Sequence, residues 1–128
     1  MLPALNTLAE QQSSPTKNKE AAITHFLDYA ATNTSKIIQY KASDMILRID
    51  SDVSYLSEPR ARSCTGENYY LSSLPTDPKK SPNLLPPANG PIHMEYRILK
   101  NVVASAAEAE VGGLFHNGQT AVPLIVFY

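Results

Sequence analysis

The sequence has few of the features that mark an exported, membrane-bound or strongly charged protein. Its 128 residues include one cysteine, Cys64, so an internal disulfide is excluded and no oxidising compartment is required. No apolar run approaches the roughly 20 residues of a membrane-spanning helix, and the N-terminus lacks the basic start and long apolar stretch of a secretory signal. We therefore expect a cytoplasmic or nuclear chain that is not secreted and has no membrane partner.

The sequence also lacks a large excess of either positive or negative charge. Eleven Lys and Arg residues balance twelve Asp and Glu residues to a formal net charge of -1. This balance argues against tight, sequence-independent binding of nucleic acid, because such binding needs a basic surface. The three histidines, His25, His93 and His116, have no metal-ligand spacing, so surface or core roles are favoured over catalysis.

The first third of the chain predicts one helix. Residues 1–13 are too short for more than a frayed lead-in, whereas Ser14-Pro15 has the pattern of an N-cap followed by proline in the first helical turn. Apolar residues then recur at spacings of three and four: Ala22, Ile23, Phe26, Leu27 and Ala30. We expect the helix to end near Ala31. A short β-prone run follows at residues 37–40.

The stretch Met45–Leu56 has the period-two alternation of a strand, and it carries Asp52 near its far end. One side is mainly apolar, and the other turns polar towards its end: Ile46, Arg48, Asp50 and Asp52. The polar stretch 57–63 predicts a turn, Gly66 allows a tight bend, and Asn68–Leu74 predicts a second strand. Two neighbouring strands with a modest loop indicate a hairpin.

The remaining chain predicts a loop, a strand, a helix and an apolar tail. Six prolines in the seventeen residues 75–91 rule out regular structure there. A third strand is predicted at Ile92–Lys100. Ser105 then caps a helix that carries Glu110 and reaches Phe115, before residues 116–118 stop it. The tail, residues 121–128, is apolar and β-prone.

The order of these motifs resembles the ribonuclease H region of a copia-type retrotransposon polyprotein, with the end of the connecting segment that precedes it. The likeness covers nearly all the chain up to about Leu124. It rests on these runs: Ser51-Asp52-Val53-Ser54; Arg62-Ser63-Cys64-Thr65-Gly66 followed by Tyr69-Tyr70-Leu71; Ala106-Ala107-Glu108-Ala109-Glu110; and, in the lead-in, Gln12-Ser13-Ser14-Pro15-Thr16 with Phe26-Leu27-Asp28-Tyr29.

The resemblance implies a fold and a division of the chain. Residues 1–43 would be the N-terminal helix and connecting segment, and residues 44–128 a truncated ribonuclease H-like domain. The expected class is mixed α/β, with an antiparallel three-stranded meander followed by a helix. We predict that Leu124–Tyr128 adds a strand parallel to the first, because a strand–helix–strand crossover with the favoured right hand would place it there.

The resemblance also implies a chemistry. In that family four carboxylates hold two Mg²⁺ ions, which activate water to cleave RNA in an RNA–DNA hybrid. Asp52 would be the first of the four acids and Glu110 the second, while Glu108 matches an adjacent acid outside the metal site. Asp50 is the competing choice for the first acid, since it shares a face with Asp52. Structural roles stay open for both candidates, because acids often cap turns at strand ends and satisfy helix dipoles.

The chain departs from the family after Glu110, beyond which it has no Asp or Glu. Half of the metal site is then missing, so we expect weak or absent Mg²⁺ binding, weak binding of a hybrid at best, and no ribonuclease activity. The hairpin departs too, because Glu67 stands where a second glycine is usual and Cys64 where a basic residue is common. The alternative function is a non-catalytic interaction module, pairing through an exposed sheet edge to form a homo-oligomer.

Overall fold

The computed structural model describes residues 1–10, 12–14, 16–74, 85 and 87–127. The chain forms two compact units, Met1–Ile37 and Ile38–Tyr128. In the part of the chain that is described, no helix is both long enough and apolar enough to cross a membrane.

The first unit contains two helices, α1 at Leu2–Glu10 and α2 at Lys17–Thr32. The predicted frayed lead-in is therefore wrong, because residues 2–10 are helical. Helix α2 begins after Thr16, whose hydroxyl accepts a hydrogen bond from the Lys19 amide at 3.4 Å, and not after Ser14. The predicted proline in the first turn, Pro15, lies outside the described residues. The predicted end is confirmed: α2 stops at Thr32, with Asn33 as its C-cap.

The second unit is a sheet with one helix on it. Strands β1 (Ile46–Glu58), β2 (Arg62–Ser72) and β3 (Pro91–Ile98) pair antiparallel in the order β1-β2-β3. Helix α3 (Ala106–Phe127) packs mainly on β1 and also contacts β2. The mixed α/β class and the antiparallel meander followed by a helix are thus confirmed. Strands β1 and β3 form the two edges of this sheet.

In the hairpin of β1 and β2 the strands are longer, and the turn between them is shorter, than predicted. Only residues 59–61 separate the strands, and Glu58 pairs with Arg62. Arg60 and Ala61 turn the chain with positive φ values of 65° and 53°, a conformation that side chains with a Cβ rarely adopt. The predicted bend at Gly66 is wrong, because Gly66 is an interior residue of β2 paired with Asp52 and Tyr96 and has no positive φ.

Helix α3 begins as predicted and runs much further. The Glu108 amide donates to the Ser105 hydroxyl at 3.1 Å, which confirms the cap. The predicted stop at residues 116–118 is wrong, since the helix continues through Gly118 and Pro123 to Phe127. The predicted parallel strand at Leu124–Tyr128 is also wrong for the described residues, because 124–127 continue the helix. Their apolar residues extend its three-and-four spacing, which the β-prone composition of the tail conceals.

The β-prone run at residues 37–40 forms no strand. Residues in and beside it bond to the first residue of β3 and to the segment before it: the Tyr40 hydroxyl donates to the Pro91 carbonyl at 3.0 Å, and the Lys41 amide donates to Asn89 Oδ1 at 2.8 Å. Asn89 also donates to the Lys41 and Leu71 carbonyls at 3.0 and 2.7 Å. Most of the predicted proline loop, residues 75–84 and 86, lies outside the described residues.

Candidate functional site

Asp52 and Glu110, the two predicted metal ligands, are both exposed. Asp52 lies in β1, opposite Gly66 on β2. Its chain neighbours Ser51 and Val53 face α3: Ser51 bonds Asn117, and Val53 Cγ2 lies against Gly113. Because side chains alternate along a strand, Asp52 belongs to the face of the sheet turned away from α3. Glu110 lies on α3 itself.

These positions do not build the two-metal centre that the resemblance implies. In the described part of the chain no three His, Cys, Asp or Glu side chains are grouped closely enough to hold a metal ion. Asp52 and Glu110 belong to different sides of the sheet, so no catalytic step can be derived from them here. Their role as ligands stays a prediction.

A different acid, Glu67, is at the centre of the contact between α3 and the sheet. It is 4% exposed, and the neighbouring Thr65 and Tyr69 on the same face of β2 are fully buried. The Tyr69 hydroxyl donates to Glu67 Oε2 at 2.5 Å, and the Thr65 hydroxyl lies 3.5 Å from Oε1. From the helix, the Asn117 side-chain nitrogen donates to Glu67 Oε1 at 3.2 Å while its oxygen accepts from Ser51 at 2.7 Å. We call the buried residues Thr65, Glu67, Tyr69 and Asn117, together with the exposed Ser51 that bonds to Asn117, the buried polar network.

The buried polar network continues towards β3 with partly exposed charged groups. Glu95 is the pairing partner of Glu67 in the β2–β3 register. Its carboxylate forms an ion pair with Arg97, lies 3.7 Å from His93 Nε2, and accepts a bond from Thr120 at 3.5 Å. Arg97 in turn lies 3.4 Å from His116 Nδ1 on α3. Two of the three histidines thus act in structural contacts of the interface.

Tyr69 shows the electrostatic consequence of this burial. Loss of solvent raises the pKa of the Tyr69 hydroxyl well above its ordinary value, and the hydrogen bond to Glu67 raises it further. The ring of His93 lies tilted on Tyr69, with 5.4 Å between centroids. At neutral pH the hydroxyl is therefore a proton donor fixed on a carboxylate. The groups of this interface are thus engaged in contacts that hold α3 on the sheet.

The second unit has two exposed surfaces of interest, the free edge of β1 and a row of apolar side chains on α3. Strand β1 pairs with β2 along one edge only, and no described strand lies on its other edge. On α3, six apolar side chains are between 63% and 76% exposed: Val111, Leu114, Phe115, Val122, Ile125 and Val126. We call these six residues the outer stripe of α3. Both surfaces are available for binding.

Sequence reasoning missed Glu67, Glu95 and Asn117. From the sequence, Glu67 was noted only as standing where the family's second glycine is usual, although its period-two relation to Tyr69 places both on one face of a strand. Asn117 was assigned to a helix stop, because Asn-Gly is a strong turn signal. Only the helix packing shows that both side chains meet.

Comparison of the chain with protein families, curated proteins and solved structures found no match. The resemblance to a ribonuclease H region therefore rests on the sequence motifs, and the structure contributes the arrangement of their residues.

Proposed function

We propose that the second unit is a non-catalytic binding module of retrotransposon, ribonuclease H-like origin, which binds through the open edge of β1. The observation that carries this proposal is the pairing of β1, a strand of 13 residues, with β2 on one side only. An open edge presents a row of unpaired N–H and C=O groups, which is a template for a further strand.

The partner chemistry follows from that edge. An extended peptide segment would add to β1 through main-chain hydrogen bonds, and alternate side chains of the segment would lie beside those of β1. On the face away from α3 these are polar, with Asp50 and Asp52 both exposed. The two acids therefore favour a segment with basic residues at alternate positions.

The non-catalytic part of the proposal is supported by the placement of the two candidate acids. The parent activity needs four carboxylates around two metal ions, whereas Asp52 belongs to the face of the sheet turned away from α3 and Glu110 lies on α3 itself. The acid that lies inside the fold, Glu67, is bonded to Tyr69 and Asn117.

Hydrogen exchange tests the binding edge. Amides at alternate positions of β1 point away from β2, so we expect them to exchange quickly in the free protein. An added strand-forming peptide with lysine at alternate positions should protect those amides, and the same peptide with glutamate at those positions should not. Absence of protection by the first peptide, or equal protection by both, would contradict the proposal.

A nuclease assay tests the proposal that the second unit is non-catalytic. A labelled RNA–DNA hybrid is incubated with the full chain and Mg²⁺ or Mn²⁺, beside the Asp52→Asn variant. We expect no cleavage by either protein and only weak retention of the hybrid. Metal-dependent cleavage that Asp52→Asn abolishes would make the chain an active nuclease.

A further inference from the structure

The outer stripe of α3 reverses the usual arrangement of a surface helix. Taking about 100° per residue, its six members fall within an arc of roughly 120°. The residues that contact the sheet, among them Gly113, Asn117 and Thr120, are centred on the opposite side. A helix on a monomer normally turns its apolar side inward, so a continuous exposed apolar stripe indicates an interaction surface.

The spacing of the outer stripe is symmetric about Gly118. Val111 and Ile125 lie seven residues before and after it, and Leu114 and Val122 lie four before and after. The members of each pair are similarly exposed, at 66% and 65% and at 69% and 63%. A two-fold axis through Gly118 would therefore bring Val111 onto Ile125 of a second, antiparallel helix, and Leu114 onto Val122. A self-complementary surface of this kind is what a two-fold dimer requires.

Gly118 also allows two helices to approach closely at that point. No atom lies within 4 Å of the place where its Cβ would stand. Glycine at a helix crossing lets two backbones come near each other. The same residue would be unfavourable in an isolated helix, because glycine has a lower helix propensity than alanine.

Charge favours the antiparallel direction. The acids of α3, Glu108 and Glu110, lie near its start, and the helix has no Lys or Arg. Parallel pairing would place these acids beside their own copies, whereas antiparallel pairing places them beside the uncharged far end of the other helix. The two helix dipoles then also oppose one another.

We propose that two copies of this chain associate through the outer stripes of α3, antiparallel and crossing at Gly118. Six side chains that are about two-thirds exposed would bury on the order of 500 Å² per copy, or roughly 1,000 Å² in total, which is near the lower limit for a specific interface. The contact does not involve the edge of β1, so it is independent of the binding function proposed above.

Light scattering and sedimentation of the full chain test the dimer, with Ile125→Glu as the disrupting variant and Ile37→Glu as the matched control. Ile37 is also highly exposed, at 80%, but lies outside the stripe. We expect a dimer for the parent chain and the control, and a dissociation constant at least ~30-fold higher for Ile125→Glu, as for a hot-spot residue. A monomeric parent chain, or association that Ile125→Glu leaves unchanged, would overturn the proposal.

Cysteine cross-linking tests the direction without relying on a disrupting variant. Leu114→Cys and Val122→Cys proteins, mixed and oxidised, should form a disulfide-linked heterodimer, because the antiparallel contact places residue 114 beside residue 122 of the other copy. Neither variant should cross-link with itself, because the same contact keeps the two copies of each position apart, and the native Cys64 is buried. Efficient self-linking of either variant would indicate parallel pairing and contradict the proposed geometry. Absence of cross-linking in the mixture, with the introduced thiols unreactive to maleimide, would assign the stripe to another occupant.

Discussion

The two faces of helix α3 differ in a way that most helices of small domains do not. The face on the sheet carries small residues and one buried amide: Gly113 lies against Val53, Ala109 and Ala121 are buried, and Asn117 bonds to Ser51 and Glu67. The outer face carries the large apolar side chains, such as Leu114 and Val122, and leaves them exposed. The inner contact is thus specified by hydrogen bonds and shape, and the outer one by apolar area.

This difference indicates which residues stabilise the folded second unit. Its buried residues include Ser63, Thr65, Glu67, Ser72 and Asn117, beside only a few large apolar side chains. A polar core is stabilising only while each group keeps its partners, because an unpaired buried donor or acceptor costs about 1–3 kcal/mol. Variants on the inner face should therefore have larger effects on folding than variants on the outer face.

The largest effect is expected from Glu67→Ala. It removes the acceptor of the Tyr69 hydroxyl and of the Asn117 amide and leaves a cavity, so we expect a loss of about 3 kcal/mol in the free energy of unfolding. Urea unfolding followed by circular dichroism measures it. Glu95→Ala is the control, since Glu95 pairs with Glu67 in the register but its side chain is 26% exposed, and it should cost about 1 kcal/mol. Equal losses would show that the inner network is not the stabilising element.

Gly113→Ala should have the next largest effect. A Cβ at Gly113 would stand 2.5 Å from Val53 Cγ2, a distance that requires the helix or the strand to move. Overpacking costs about 1–3 kcal/mol, and the gain of about 1 kcal/mol from alanine in a helix offsets part of it, so we expect a net loss of roughly 1–2 kcal/mol.

The neighbouring Gly112 provides the control for this variant. A Cβ at Gly112 would meet only Leu99 Cδ1 at 3.5 Å, an ordinary contact. Gly112→Ala should therefore stabilise the chain by up to about 1 kcal/mol in the same urea experiment. If both substitutions stabilised the protein, the close approach of α3 to β1 would be disproved.

Alkaline pH should weaken the inner face through Tyr69. Its pKa is raised in the folded chain by burial and then by the bond to Glu67, so the folded state keeps a proton that the unfolded state releases above about pH 10. The resulting stability is fully present below pH 10 and is lost as pH rises towards the folded-state pKa, with a limiting slope of about 1.4 kcal/mol per pH unit.

Tyr69→Phe tests this assignment. The variant should be less stable than the parent chain at pH 7, because Glu67 loses a donor, and its stability should fall less steeply between pH 10 and 11. Tyr70 and Tyr96 also have raised pKa values and remain in both proteins, so part of the alkaline slope should persist. An unchanged slope would show that Tyr69 does not carry the effect.

The sequence predicted the parts of the fold that follow from short-range patterns. Alternation located β1 and β3, and Ser105 located the start of α3, because capping and strand periodicity act over a few residues. It failed where a local signal competed with packing. Asn117-Gly118 indicates a stop, yet the helix continues past it, and the Asn117 side chain bonds to Ser51, 66 residues earlier in the chain.

The sequence identified candidate site residues from their motifs but did not predict how those residues are arranged in space. Asp52 and Glu110 were found from their sequence context, and their faces follow from the packing of α3, which no local pattern contains. Glu67 could not be recognised as buried, since a charged residue after glycine is typical of a turn. Its burial depends on two contacts. Asn117 reaches it from helix α3, and Tyr69 lies two residues further along β2.

The smallest effect, and the one that best separates the two faces, is expected from Gly118→Ala. Since nothing lies within 4 Å of the added Cβ, the variant should stabilise the folded chain by roughly 0.5–1 kcal/mol at concentrations below the dissociation constant of the dimer. At higher concentration the same methyl group would separate the crossing helices, so the variant should dissociate more readily than the parent chain. Opposite signs for folding and association in one substitution would mean that Gly118 serves the outer contact, just as Gly113 serves the inner one. A loss of stability in the monomer would instead place Gly118 in a packed contact of its own chain, and the two faces of α3 would no longer differ in kind.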